Sequence, residues 1–468
     1  MTISDNSRSV REIEARLSEK LPIKLGVNKK NELGRLVYEI SRGRGLSPED
    51  VIQQAEIDRI IDCGKSGLFH KVKRTLLGTR YPSSGPDDDP HIMPVKIDPA
   101  RKECPVWDLS LDPRTIFVEK SVRSFKWTED FTRKFPRAEV VEVKDSRDVV
   151  REVSTSDPVS MYDSRRDRVL LVRARSGFVK ICPCTKGYKR CGYWILNVGF
   201  GCPIDCSYCY LQMYSNAPGL ILPVNIDDYY GHIERFDRQV KGRTRIGTGE
   251  FTDSLALDMY TGYSTRLIPF FRKMRNLVLE LKTKSANIEN VLREEPHENV
   301  VISWSVNPQD IADRYEKGSV TMAQRLDAAE RAAEKGYKTG FHFDPVIYSE
   351  GWEDAYKAVV EDIFSREALR KNTVWVSLGT LRYTPGFKQI VEQRFAENLM
   401  FYQGEFFVDT DGKLRYPRDV RIDIYNKMIS WIMSFDTSCW IYLCMEPEEV
   451  WKKTIVPLRE WPLPEWNR

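Results

Sequence analysis

From residue 193 onward the chain alternates between short strand-like runs and helix-like segments, and this alternation limits the folds open to it more than any other feature. The runs are YWILNVGF (193–200), TRIGTG (244–249), LVLELKTK (277–284), VVISWSVN (300–307), TGFHFDPVI (339–347) and VWVSLGTL (374–381). Strands joined by helices return in the same direction and build a parallel sheet. A count of about six such units predicts an open partial (β/α)6 barrel, in which reactive groups sit on loops after the carboxyl ends of the strands.

Upstream the pattern differs. Helical periods at 10–21 and 32–61, with Ser47-Pro48-Glu49-Asp50 as a helix start, predict a helical extension. The turn-rich, acidic YPSSGPDDDP (81–90) marks a linker. Between 114 and 180 the runs TIFVEK and RVLLVRAR flank a helix-like TEDFTRKF, which predicts a small α/β unit. The expected segments are 1–105 (helical extension and linker), 106–185 (small α/β unit), 186–395 (barrel) and 396–468 (hairpin and helical segment). No tandem repeat points to a solenoid.

With 468 residues, 41% of them hydrophobic, the chain can bury at least one large core. Its net charge of +4, from 72 Lys and Arg against 68 Asp and Glu, gives little general attraction for nucleic acid, so any such contact needs a local patch. No stretch of about 20 uncharged apolar residues suits a membrane span, and MTISDNSRSVREIEAR lacks the apolar core of a secretory signal. The expected location is therefore the cytoplasm. Ten cysteines in a reducing compartment point to metal rather than to a disulfide framework.

Cys202, Cys206 and Cys209 fall in a C-x3-C-x2-C spacing directly after the first barrel run. One compact loop can wrap three thiolates around three corners of an iron–sulfur cube and leave the fourth iron without a protein ligand. Zinc would want a fourth ligand nearby, yet no histidine lies between His91 and His232. An open iron suits S-adenosylmethionine as a chelating cofactor and the release of a 5′-deoxyadenosyl radical.

The loop CPIDCSYCYLQ resembles the cluster loop of the radical S-adenosylmethionine superfamily, and Tyr210-Leu211-Gln212 is similar to its spore photoproduct lyase-like (DNA repair photolyase-like) branch. The resemblance extends over about 112–430 through TIFVEK, Thr283-Lys284, Ser305-Val306-Asn307 and AAEKGYKTGFHFDPVIYSEGW. It implies a [4Fe–4S] cluster on the cysteine triad, S-adenosylmethionine as cofactor, hydrogen-atom abstraction from a DNA pyrimidine photoproduct, and an electron donor such as ferredoxin or flavodoxin. It also implies cofactor contacts from Lys284, Ser305, Asn307 and Thr252. Tyr208 and Tyr210 stand where the family passes a hydrogen atom; each phenol either donates it or packs against the adenine.

The sharpest departure is Glu250, which stands where the resembling lyases have a hydrogen-donating cysteine. The run Gly247-Thr248-Gly249-Glu250 is similar instead to motifs that hold the cofactor's ammonium group, a role that charge-assisted hydrogen bonding suits. Glu250 and the further cysteines also favour an alternative, the same chemistry on a peptide, another nucleic acid or a small molecule. A non-catalytic iron–sulfur DNA-binding protein is the weaker alternative.

Cys182, Cys184 and Cys191 form a second group that would suit another iron–sulfur cluster, short of one ligand; as simple thiols they need no metal. Cys439 and Cys444, in the apolar CWIYLC, read as core, and Cys63 and Cys104 carry no pattern. The five histidines are single, and His342, in FHFDPV, reads as a satisfied, partly buried residue, with Asp344 beside it. Around the turn DTDG (409–412), Lys413, Arg415, Tyr416, Arg418 and Arg421 form a basic hairpin, either solvated or suited to phosphate contact and base stacking.

Overall fold

Val, Ile and Leu dominate the long runs, and VVISWS at 300–305 is buried at every position, as a parallel strand covered on both faces must be. The computed structural model describes residues 3–62, 67–80, 110–153, 158–184, 187–214, 217–349, 351–395, 398, 400–403, 406–435 and 439–454. The linker at 81–90, the boundary at 105, Cys63 and Cys104 lie outside them.

The main sheet has eight strands: β1 Val179–Ile181, β2 Trp194–Leu196, β3 Thr244–Gly247, β4 Leu277–Thr283, β5 Val300–Ser305, β6 Lys338–Val346, β7 Thr373–Thr380 and β8 Trp440–Leu443. They lie in chain order across the sheet, and every pair is parallel except β1 with β2. The six expected runs are β2 to β7. CWIYLC, read as core alone, contributes β8, so the expected (β/α)6 count is one parallel strand short. A four-residue buried run carries no periodicity that separates strand from core.

The sheet is a curled open half-barrel. In a flat sheet β3 and β8, five positions apart, would be separated by about 24 Å. Arg245 on β3 instead donates through Nη1 to Tyr442 Oη on β8 at 2.5 Å. Inside the curl Glu280 of β4 accepts on Oε1 from Ser303 Oγ (2.7 Å) and Trp375 Nε1 (3.1 Å) and lies 2.7 Å from His342 Nε2. His342 is thus satisfied and buried, as its single placement suggested.

A second, four-stranded parallel sheet is ordered 139–143, 115–119, 168–172, 220–223. The TEDFTRKF segment is helical (Lys126–Arg133). Leu220–Pro223 joins this sheet from beyond the cysteine loop, so the small α/β unit does not end at 185.

The chain divides into two compact units, Met1–Pro105 with Leu381–Arg421, and Val106–Thr380 with Ile422–Arg468. The segment expected at 396–468 is therefore split. Phe407 of the hairpin packs in the core of the helical unit with Leu33, Leu36 and Val72, whereas β8 extends the barrel sheet. In the helical unit the 32–61 period is broken at Gly45, in the left-handed region at φ 65°, and restarts at Ser47, whose Oγ accepts from Asp50 N at 3.1 Å. No described helix is long and apolar enough to cross a membrane.

Candidate active site

The cysteine loop is placed by backbone and by one arginine. Gly201 turns the chain at φ 94°, with its N–H on Phe251 O (2.9 Å); a Cβ there would approach Leu220 Cδ2 to 3.1 Å. Asp205–Cys206 pairs antiparallel with Glu316–Lys317, and Ser207 N donates to Tyr315 O. The guanidinium of Arg165 spans the loop from inside, donating to the carbonyls of Cys202 (3.2 Å) and Ile204 (3.3 Å) and to Asp205 Oδ1 (3.2 Å). Gln212 Nε2 donates to Cys206 O.

Ile204, Cys206 and Ala256 form a small buried core, and Cys202, Tyr208 and Cys209 pack against it. Burial drives all three thiols upward, Cys202 to about 12, so each stays protonated unless a cation claims it. Among the described residues no three His, Cys, Asp or Glu converge on a point as a single ion would require. A cluster asks for something else, thiolates spread over separate corners of a cube, and a triad on one short loop fits that demand.

Behind Cys206 lies a buried carboxylate that no sequence feature marked. Glu316 accepts on Oε1 from Tyr208 Oη and from Asn307 Nδ2 (2.8 Å), and lies 3.8 Å from Lys284 Nζ. Its Oε2 meets Arg325 Nη2 at 2.5 Å, with both side chains fully buried. Burial alone would raise this carboxyl, but Arg325 and then Lys284, with the Tyr208 and Asn307 hydrogen bonds, bring it down to about 2. Asn307 Oδ1 accepts in turn from Tyr356 Oη (2.7 Å), and Arg325 Nη1 donates to Ser305 O (2.9 Å). Tyr208, Lys284 and Asn307, far apart in sequence, are thus gathered around one anion, and Ser305 is joined to it only through its carbonyl on Arg325.

Glu250 belongs to a different contact. Tyr210 Oη donates to its Oε1 (2.9 Å) and lies 2.7 Å from its backbone carbonyl. Tyr210 is 40% exposed but turns its hydroxyl onto Glu250. Burial and then Glu250 hold this phenol well above its ordinary value, and burial and then Glu316 do the same for Tyr208. Gly249 packs closely on β4: a Cβ there would lie 3.0 Å from Lys282 Cβ and 3.1 Å from Lys282 O, tighter than most side-chain contacts. Thr252 is buried in the same loop, which Asp253 ties to the end of β4 through Thr283 Oγ1 (2.6 Å) and Lys284 N (2.8 Å). No sequence feature marked Asp253, Arg165, Glu316 or Arg325 as part of the site.

The basic hairpin forms, with Phe407–Val408 antiparallel to Leu414–Arg415. Its side chains are not those of an open basic surface. Arg415 is 1% exposed and donates to Asp411 (2.7 Å), Arg421 is 2% exposed and donates to Asp409 (3.0 Å), and Tyr416 is stacked on Phe406. Asp411 and Asp409 neutralise these charges. Lys413 is half-buried beside Asp411, and the hairpin ends before Arg418 and Arg421, which lie on the helix Arg418–Met433 that follows it; Arg418 is exposed.

Residues 111–406 match the family model for spore photoproduct lyase. The spore photoproduct lyase of Geobacillus sp. (strain Y412MC61) is 23% identical over 60% of this chain and 82% of its own length. That of Bacillus subtilis (strain 168) is 22% identical over 69% and 95%. A solved spore photoproduct lyase complexed with dinucleoside spore photoproduct superposes with a TM-score of 0.63 at 20% identity, covering 71% of this chain and 99% of the other. A solved spore photoproduct lyase double mutant with bound AdoMet and dinucleoside spore photoproduct gives 0.61 over the same coverage. The chain therefore belongs to the spore photoproduct lyase family of radical S-adenosylmethionine lyases.

Proposed function

We propose that this chain binds a [4Fe–4S] cluster through Cys202, Cys206 and Cys209 and uses S-adenosylmethionine to remove a hydrogen atom from a pyrimidine photoproduct in DNA, which then splits. The observation that carries the reading is the convergence of Tyr208, Lys284 and Asn307 on Glu316, directly behind Cys206. When bound, the cluster and cofactor supply a 5′-deoxyadenosyl radical.

The protein's part is to hold and aim. Glu250 offers a carboxylate for the cofactor's ammonium, and Gly249 keeps the backbone close to β4. Lys284, Ser305, Asn307 and Thr252 supply the remaining polar contacts. Tyr208 and Tyr210 stay protonated, each with its O–H directed at a carboxylate, and are the candidate hydrogen donors. Damaged DNA would be the substrate, a ferredoxin or flavodoxin the reductant, and the cytoplasm the reducing setting.

A second reading, the same chemistry on a peptide, another nucleic acid or a small molecule, is favoured by Glu250 in the donor cysteine's place and by the burial of Arg415, Tyr416 and Arg421. The deciding experiment gives anaerobically reconstituted protein dithionite, S-adenosylmethionine and either ultraviolet-treated or untreated DNA. Loss of photoproduct together with 5′-deoxyadenosine formation supports repair; 5′-deoxyadenosine without photoproduct loss supports the second reading.

A further inference from the structure

The two edges of the barrel sheet are joined by a loop that carries cysteines. β1 pairs with β2 up to Ile181 opposite Trp194, and Cys182 N extends the ladder to Tyr193 O at 3.1 Å. Lys189, which lies between these points in sequence, donates its N–H to Glu446 O, just past β8 at the far edge of the sheet, at 3.2 Å. Cys444, the residue after β8, is fixed there by its N–H on Leu378 O (2.7 Å). The loop and Cys444 are thus brought together although more than 250 residues separate them.

The sulfurs follow the backbone. Cys184 Sγ lies 3.6 Å from Cys182 Sγ. Cys191 Sγ lies 3.5 Å from Arg245 Nη2, and Nη1 of the same guanidinium holds Tyr442, two residues before Cys444. Lys189, two residues before Cys191, is held at Glu446, two residues after Cys444. All four are half-buried and none is in a disulfide. Four thiols in one neighbourhood, with a buried guanidinium against one of them, form a donor set for an anionic metal–thiolate centre. Among the described residues no three ligands converge tightly enough for a single ion, at this place or at the Cys202 triad.

We propose that Cys182, Cys184, Cys191 and Cys444 hold a second iron–sulfur cluster, with Cys444 as the ligand that the first three lacked. With four protein thiolates it has no open iron and cannot chelate S-adenosylmethionine. The assignment does not depend on the substrate proposed above.

The test removes the other centre first. A variant with Cys202, Cys206 and Cys209 all changed to Ala is reconstituted anaerobically with iron and sulfide, and iron, sulfide and the electron paramagnetic resonance of the dithionite-reduced protein are measured. We expect about two to four irons per chain to remain, according to cluster type, with a spectrum unmoved by S-adenosylmethionine. Adding Cys444→Ser should then remove that iron, and Cys191→Ser independently should do the same. A folded triad variant without iron, a protein that carries zinc in its place, or iron unaffected by Cys444→Ser would each overturn the assignment. Loss of the first cluster's reactivity alone would bear on the proposed function and leave this site standing.

Discussion

The carboxylate of Glu316 is ionised in surroundings that have taken away its water, and its neighbours hold it there. Because its folded value lies at about 2, below the ordinary 4.5, its contribution to stability is present above pH 4.5 and is lost as pH falls towards about 2. Glu316→Gln should destabilise the apo protein by about 3–5 kcal/mol at neutral pH, by leaving Arg325 buried without its counter-charge. It should also flatten the acid limb of stability. Denaturation midpoints between pH 3 and 7 check this, and an unchanged acid limb would contradict it. Glu250 makes a different forecast: Glu250→Ala should weaken S-adenosylmethionine binding by about 1.5–3 kcal/mol, the range for a hydrogen bond to a charged group. Calorimetry under nitrogen measures it. Tyr210→Phe removes the hydrogen bond to Glu250 but not the carboxylate, so it should leave most of that affinity in place.

Among the elements, the hairpin separates what charge patterning can show from what burial decides. Lys413, Arg415, Arg418 and Arg421 read as a basic surface, and the turn and its two strands were legible from DTDG. The partner of each charge was not, because Asp409 and Asp411 face inward with the arginines and sequence spacing does not give that direction. Arg415→Ala should therefore destabilise the hairpin by about 3–5 kcal/mol, as the breaking of a buried ion pair does. If this region meets DNA, exposed Arg418, at the start of the helix that follows the hairpin, carries the contact, and Arg418→Ala should lower the salt slope of binding by about one unit. Unchanged affinity and slope would remove this region from the substrate site.

For the whole molecule, the alternation of runs revealed the barrel because each long strand is apolar on both faces and is bounded by helices, a pattern that periodicity detects. It missed β8, four residues long, and the contribution of 220–223 to the second sheet, since edge pairing is a long-range choice. In the site, the cysteine triad was legible because one loop carries it. The Glu316 and Arg165 contacts were not, because they join segments 40 to 110 residues apart: Arg165 with Asp205, and Tyr208 with Glu316. The central claim remains the triad. Its most direct measurement is iron content and 5′-deoxyadenosine formation, under dithionite and S-adenosylmethionine, for the wild type and for Cys202→Ala, Cys206→Ala and Cys209→Ala separately. The account predicts cofactor cleavage by the wild type and none by any of the three variants, each losing about four irons relative to wild type. Cleavage at the wild-type rate by any one of them, with its iron intact, would contradict it.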